Sequence, residues 1–377
     1  MIYLDYQATT PVAPEVAAAM RPWAEEDFAN PHSPSRAGRE AAAAIEVARG
    51  QVARGQVARA VGISGGSVAF TSGATEALNW ALKGLAENAP ADRNRIVTIA
   101  TEHAAVLDSC DWLEGGGFDV VRSPVRPDGI VDLDSLEAAL DERVLLVAAM
   151  LVNNEIGVIQ PIMEIARAAH RVGALMLCDA VQGFGRVDIP EGPDLIAVSA
   201  HKIYGPKGVG ALWMRDGVTP APLLHGGGQE RGLRSGTLSP ALCVGFGAAA
   251  KLASERREAD AAHVERLWNA AIDALGPGWI VNGSAEHRYR GNLNIRRDGL
   301  DGARLISDLR DVAFSLGSAC ASGSGRPSHV LRALGLSDRE ARSSIRLGFG
   351  RYTSESELAD ACRRIDATAR AQQGLAA

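Results

Sequence analysis

Gly173-Ala-Leu-Met-Leu-Cys-Asp-Ala-Val-Gln182 and, a little further on, Leu195-Ile-Ala-Val-Ser-Ala-His-Lys202 are the two stretches that decide the fold. Each is a short, β-rich apolar run that stops abruptly on polar or ionisable side chains. The same pattern repeats from about residue 66 to 215, where apolar runs at 67–70, 95–100, 118–123, 144–152, 174–178, 195–199 and 209–214 alternate with helical stretches. Such alternation predicts an α/β fold, a mostly parallel seven-stranded sheet with helices on both faces. Ligands of such sheets gather at the carboxyl ends of the strands, so the polar residues just after each run are the candidates for function.

Beyond about residue 240 the pattern changes to two long helices, 241–261 and 262–275, then short strands and a Gly/Ser-rich stretch at 315–328. A smaller α+β C-terminal domain is expected there. The division expected is a large domain over 12–255 and a small one over 1–11 and 256–377.

The 377 residues, 46% apolar and 22% charged, have the composition of an ordinary globular protein and are enough for both units. A net charge of −6 argues against a nucleic-acid partner, which would need an excess of Lys and Arg. No apolar run approaches a membrane span, and Met1-Ile-Tyr-Leu-Asp-Tyr6 has no basic segment followed by an apolar one. A cytoplasmic enzyme is the expectation. The five cysteines, Cys110, Cys178, Cys243, Cys320 and Cys362, form no C-x-x-C pair and read as reduced thiols. Four sit in apolar or helical surroundings suited to a buried structural thiol; Cys320 does not.

Three kinds of local pattern do not signal the chemistry they first suggest. Gly62-Ile-Ser-Gly-Gly66 has the spacing of a nucleophile elbow but is followed, not preceded, by a strand. The glycines at 205–210 and 226–228 fit neither the dinucleotide nor the Walker spacing. A tandem repeat, Ala48-Arg-Gly-Gln-Val then Ala53-Arg-Gly-Gln-Val, reads as a tolerated duplication in a surface helix.

Chemistry gathers at the strand ends. Asp179 closes an apolar run, so its carboxylate would be desolvated unless a cation, such as a protonated pyridine nitrogen, were set against it. Lys202 follows another apolar run, and burial there would lower its pKa and fit it for a Schiff base. Thr71-Ser-Gly-Ala-Thr-Glu76 lies between a strand and the helix carrying Leu78, Ala81 and Leu85, an anion site suited to a phosphate. Ser199 and His201 could add donors. Taken singly, each of these is also what a surface ion pair or a plain helix cap would look like.

Together with other motifs in the same order, they resemble the cysteine desulfurases of the NifS/IscS group, class-V aminotransferase-like enzymes of fold type I. The resemblance runs from Tyr3-Leu-Asp-Tyr-Gln-Ala-Thr-Thr-Pro11 to Ser344-Ile-Arg-Leu-Gly348. Between these ends it takes in Phe70 to Glu76, Thr101-Glu-His103, Val152-Asn-Asn-Glu-Ile-Gly157, Cys178-Asp-Ala-Val-Gln182 and Ser199 to Gly208, then His225 to Gly228, Arg234-Ser-Gly-Thr237 and Gly317-Ser-Ala-Cys320. It implies a fold type I transferase dependent on pyridoxal 5'-phosphate. In it Lys202 would hold the cofactor and shuttle the Cα proton, Asp179 would pair with the pyridinium nitrogen, and His103 would stack on the ring and serve in acid/base steps. Gln182 would bond the ring hydroxyl, while Ala74, Thr75, Ser199 and His201 would hold the phosphate. Thr237 would reach the phosphate of the neighbouring subunit, which implies a homodimer with shared active sites. Asn154 would lie near cofactor and substrate, and Arg346 would clamp the substrate carboxylate.

Cys320 decides the reaction. It stands in Gly317-Ser-Ala-Cys-Ala-Ser-Gly-Ser-Gly325, a stretch of small residues rather than a packing environment. A thiol must be deprotonated from about 8.5 to act as nucleophile. The resemblance implies that L-cysteine displaces Lys202 from the cofactor, the freed lysine takes the Cα proton, the Cys320 thiolate attacks the substrate sulfur, and alanine leaves a persulfide on Cys320. No resident metal is expected, Cys320 being at most a transient iron–sulfur ligand shared with a scaffold partner. Residues 318–329 are similar to the longer catalytic loop of that group, which implies direct hand-off to an iron–sulfur scaffold or another sulfur acceptor. The sequence ends at Ala377, soon after its last helical stretch, and is expected to lack the tail by which some relatives grip a scaffold, which leaves the acceptor open. A class-V aminotransferase or selenocysteine lyase would share the cofactor machinery, and a scaffold-interaction protein would need none of it.

Overall fold

The structure, a computed structural model, describes residues 1–53, 65–317 and 327–374. The chain runs through β1 (Ile2–Tyr3), α1 (Pro14–Glu25), α2 (Arg36–Val52), β2 (Ser67–Thr71), α3 (Ala74–Glu87), β3 (Arg95–Ile99), α4 (Ala104–Gly115), β4 (Asp119–Ser123), α5 (Leu133–Ala138), β5 (Val144–Met150), α6 (Ile162–Arg171), β6 (Leu175–Asp179), β7 (Leu195–Ser199) and β8 (Gly210–Met214). It continues through α7 (Pro240–Leu275), β9 (Ile280–Val281), β10 (Asn292–Arg296), α8 (Gly302–Asp308), β11 (Val312–Ala313), α9 (His329–Ala333), α10 (Asp338–Arg342), β12 (Ser344–Gly348) and α11 (Glu355–Gly374).

The seven apolar runs are the seven strands of one sheet, in the order β2-β8-β7-β6-β5-β3-β4. Their observed ends differ from the expected ones by a residue or two. Only β8 runs against its neighbours, pairing antiparallel with β2 and β7. In β5 every residue is buried, because β3 and β6 flank it and helices cover both faces. That explains why its sequence lacks the alternation of a half-solvated strand. One face packs with Phe70, Val97, Val147 and Cys178, the other with Leu78, Trp80, Leu146 and Leu177. Because β2, β3, β5, β6 and β7 share one direction, Thr71, Ile99, Met150, Asp179 and Ser199 all finish at the same edge. Gly210 lets that edge close up: a Cβ there would lie 2.6 Å from the Gly73 carbonyl carbon and 2.7 Å from Val198 O.

One expectation needs correction. The two helices at 241–261 and 262–275 are a single 36-residue helix, α7. Its middle, Ser254-Glu-Arg-Arg-Glu-Ala-Asp-Ala-Ala, is polar but built of helix-favouring residues with no Gly or Pro to stop it. The stop comes at Gly276, whose φ of 69° takes the chain out of the helix. The boundary expected near residue 255 falls within α7, whose Phe246, Ala249 and Ala253 pack under the large sheet and whose Leu267, Trp268 and Ala271 pack with Leu293, Ile345 and Leu358. That second core belongs to the antiparallel sheet β12-β10-β9 and also takes in Leu4 from the N-terminal segment, where β1 pairs with β11.

The first copy of the five-residue repeat closes α2, with Ala48 and Val52 buried; most of the second copy lies outside the described residues. Among the described residues no helix is long and apolar enough to cross a membrane.

Candidate active site

A cavity of about 620 Å³ opens at the shared strand edge, lined by His103, Asn154, Asp179, Lys202, Arg346 and the Ser72–Glu76 loop among others. Lys202 sits there because β7 ends at Ser199 and a single 3₁₀ turn, Ala200–Lys202, follows. Its Nζ donates to the carbonyls of Gln7 at 2.5 Å and Ala8 at 2.8 Å. Burial, then the nearby Arg186 and Arg346, push its ammonium down to about 7, while Asp5 and Asp179 pull the other way. The N-terminal segment that supplies these carbonyls also lines the cavity through Thr9, a contribution that no local pattern in residues 7–9 announced.

Asp179 closes β6 with 6% of its surface exposed. Its carboxylate accepts one hydrogen bond, from Val181 N at 3.0 Å. Burial raises its pKa, and Val181 N, His103 and Lys202 offset this only in part. A carboxylate so poorly supplied with donors, facing an open cavity, is a ready acceptor for a cationic N–H. His103 caps α4, taking the Ala105 N–H on Nδ1 at 3.1 Å, which leaves the proton of the neutral ring on Nε2.

The turn from β2 into α3 offers the cavity a set of donors suited to an anion. Ala74 and Thr75 open the helix, where N–H groups have no partner within the helix. The space where a Gly73 Cβ would stand is empty. Glu76 steadies the turn by accepting from Ser72 N at 2.7 Å and from Arg234 Nε at 2.8 Å. Burial opposes this, but Arg234 and the Ser72 bonds hold the Glu76 carboxyl below its usual range. Sequence reasoning missed the pair because Glu76 and Arg234 are 158 positions apart. Ser199 is buried, and His201, its ring 3.1 Å from Thr9 Oγ1, is pushed down to about 4 by burial and by Lys202, Lys207 and Arg186. It is therefore neutral at pH 7 and donates through one ring nitrogen.

Gln182 is buried, its Nε2 on Gln7 O at 2.9 Å and its Oε1 taking Arg186 Nη1 at 2.6 Å, so one amide N–H is left for a ligand. Arg346 is 1% exposed, reaches Asn154 O at 2.9 Å and Asp5 at 2.7 Å, and has no partner for Nε. That free donor beside Nη2 is half of the fork a carboxylate takes. Thr237 is exposed and is not among the described residues that line this cavity.

Cys110, Cys178, Cys243 and Cys362 are all buried. Burial pushes the thiols of Cys110, Cys243 and Cys362 up to about 12 and that of Cys178 well above its usual value. None can supply a thiolate at neutral pH. Cys320 lies outside the described residues. Among the described residues no cluster of His, Cys, Asp or Glu is placed to hold a metal ion.

The family model for aminotransferase class-V matches residues 2–360. The chain belongs to the class-V aminotransferase family. Within it, the chain is 45% identical over 373 residues to the cysteine desulfurase IscS of Rickettsia bellii, covering 97% of this chain and 90% of that one. A solved NifS-like protein superposes with a TM-score of 0.89 at 34% identity, covering 97% of this chain and 98% of the other. A solved SspA in complex with cysteine superposes with a TM-score of 0.81 at 35% identity over 94% and 100% of the two chains.

Class-V enzymes of this kind use pyridoxal 5'-phosphate, and the donors here fit it. The buried, under-bonded Asp179 suits a pyridinium, the N-terminus of α3 an anion, and the depressed Lys202 an aldehyde. Only the neutral amine of Lys202 reacts with a carbonyl, so covalent capture of pyridoxal phosphate by apoprotein should rise with pH and reach half its maximal rate near 7. Stopped-flow absorbance across a pH series measures this, and a midpoint at the ordinary lysine value of 10.5 would contradict it.

Proposed function

We propose that this class-V enzyme is a cysteine desulfurase, which takes sulfur from L-cysteine as a persulfide on Cys320 and releases L-alanine. One observation carries the reading: in a chain 45% identical to a named cysteine desulfurase, Lys202, Asp179 and Arg346 meet in one cavity. The thiols of Cys110, Cys178, Cys243 and Cys362, moreover, are sealed away from it by burial.

Ala74, Thr75, Ser199 and His201 would hold the phosphate. Asp179 would pair with the ring nitrogen, His103 would lie against the ring, and Gln182 would give its spare N–H to the ring hydroxyl. Lys202 would anchor the cofactor and serve as the base that takes the Cα proton. Arg346 would clamp the substrate carboxylate, with Asn154 beside it. The cofactor supplies an electron sink that makes the Cα proton of bound cysteine removable. A bond would form between the Cys320 Sγ thiolate and the substrate sulfur as the substrate Cβ–S bond breaks; the electron pair stays with carbon, Cβ takes up a proton, Cα regains the one held by Lys202, and the product leaves as alanine. A thiol reductant or an acceptor protein clears the persulfide.

Thr237, exposed and held on a loop tied to Glu76 by Arg234, serves the cofactor of a second copy, and the enzyme works as a homodimer. We place the large domain at 12–255 and the small one at 1–11 and 256–377. The acceptor is an iron–sulfur scaffold or another sulfur-carrying protein. The four free, buried thiols fit a reducing cytoplasm; recovery of the protein with cell membranes on fractionation would count against that placement.

Purified holoenzyme given L-cysteine and dithiothreitol should release alanine and sulfide in equal amounts, and light scattering should give the mass of two chains. A keto acid in place of alanine would make the protein a sister transaminase. The mass of a single chain would remove the role of Thr237.

A further inference from the structure

A second cavity, of about 140 Å³, lies beside the first and is lined by Ile203 and Tyr204, the residues that follow Lys202. Five arginines face it, Arg186, Arg257, Arg288, Arg290 and Arg351, against two carboxylates, Asp260 and Glu265. Three of the five are matched. Arg351 donates to Asp260 at 2.6 Å, Arg257 to Asp188 at 2.5 Å, and Arg290 lies 3.7 Å from Glu265. Arg186 and Arg288 are not. Arg186 donates to the Lys202 carbonyl and Gln182 Oε1, each at 2.6 Å, and lies over the Tyr289 ring; Arg288 donates to the carbonyls of Ile156 and Asn292, each at 2.8 Å, and to those of Ser284 at 3.2 Å and Asn282 at 3.4 Å, and lies over the Trp268 ring. Neither meets a carboxylate among the described residues, and the rest of the chain contains no Asp or Glu.

Two buried donors are also unsatisfied. Arg288 is 5% exposed and its Nε has no partner; the Arg351 side chain is 4% exposed and its Nη1 has none. Leaving a buried guanidinium without a counter-charge or a full set of acceptors is costly. Burial and the adjacent Arg290 push the Arg288 guanidinium down to about 9, a measure of that cost.

We propose that this arginine-lined cavity is a binding site for a small tetrahedral oxyanion of the phosphate type, distinct from the cofactor's phosphate cradle. An oxyanion supplies the missing negative charge and acceptors for planar guanidinium forks. Through Arg186 the occupied site stands one hydrogen bond from the backbone of Lys202.

The test uses holoenzyme, in which the cofactor fills the other phosphate site, and inorganic phosphate against chloride at matched ionic strength. Phosphate should raise Tm in a saturable way, as binding to the folded state requires. Arg288→Gln and Arg186→Gln should each weaken the apparent affinity by about tenfold or more, the scale of a lost charge-assisted hydrogen bond. Crystals of the unaltered holoenzyme soaked in selenate should show an anomalous peak in this cavity, a readout that stands even if either variant fails to fold. No phosphate-specific rise in Tm, an equal rise in both variants, or selenate crystals without a peak here would overturn the proposal.

Discussion

Changing Lys202 to alanine is expected to lower kcat/KM for L-cysteine by about four orders of magnitude or more, the upper range for loss of a positioned proton-transfer group. The yellow, covalently held cofactor should disappear with it. The reason lies in what the fold does to this one amine. Packed against Gln7 and Ala8, with its ammonium pushed down to about 7, Lys202 is neutral in a large share of molecules at physiological pH. An ordinary surface lysine is not. Arginine in its place should fail equally, because a guanidinium stays protonated and cannot take a proton. Cofactor binding itself should weaken without vanishing, since the α3 N-terminus, Ser199, His201 and Asp179 are set by β2, β6 and β7 and do not depend on the lysine. Equilibrium dialysis of pyridoxal phosphate against the variant, beside alanine release, separates the two effects. A loss of less than tenfold in alanine release would assign the proton to another residue.

The same geometry shows why so much of the site could be read in advance. The positions of Asp179 and Lys202 were legible because fully buried strands advertise themselves as unbroken apolar runs, and the ionisable residues that close or directly follow such a run stand at the sheet edge. Cys110, Cys178, Cys243 and Cys362 were legible as structural thiols because they stand in apolar or helical stretches, and all four are buried. The turn at Ser72–Thr75 was legible as a candidate anion site because Ser-Gly-Ala-Thr between a strand and a helix leaves N–H groups without partners. What could not be read is long-range. The carbonyls of Gln7 and Ala8 that hold Lys202, the Arg234 that steadies Glu76, and the Asp5 that pairs with Arg346 leave no trace in local pattern. The break expected within α7 came from reading a polar stretch as an end, although nothing in Glu255-Arg-Arg-Glu-Ala-Asp260 stops a helix.

Changing Cys320 to alanine should cut sulfide release by about three orders of magnitude or more, the scale on which loss of a catalytic nucleophile is felt. It should leave cofactor content and the substrate-induced spectral change intact. The separation is expected because the residues proposed to bind cofactor and substrate within one chain, from Ala74 and Thr75 to Arg346, line a cavity at the ends of β2, β6, β7 and β12, whereas Cys320 adds only the sulfur acceptor. No other thiol can substitute. Each of the remaining four is buried, and deprotonating any of them at neutral pH is opposed by the same desolvation that makes it a good packing residue. Serine at 320 should be no better, since a hydroxyl cannot form the S–S bond. Wild-type sulfide release by Cys320→Ala, measured alongside Cys110→Ala and Cys243→Ala as controls for general damage, would contradict the role given to Cys320. A sulfur acceptor would then have to be sought among groups the fold seals off, or the persulfide step abandoned in favour of direct release of sulfide.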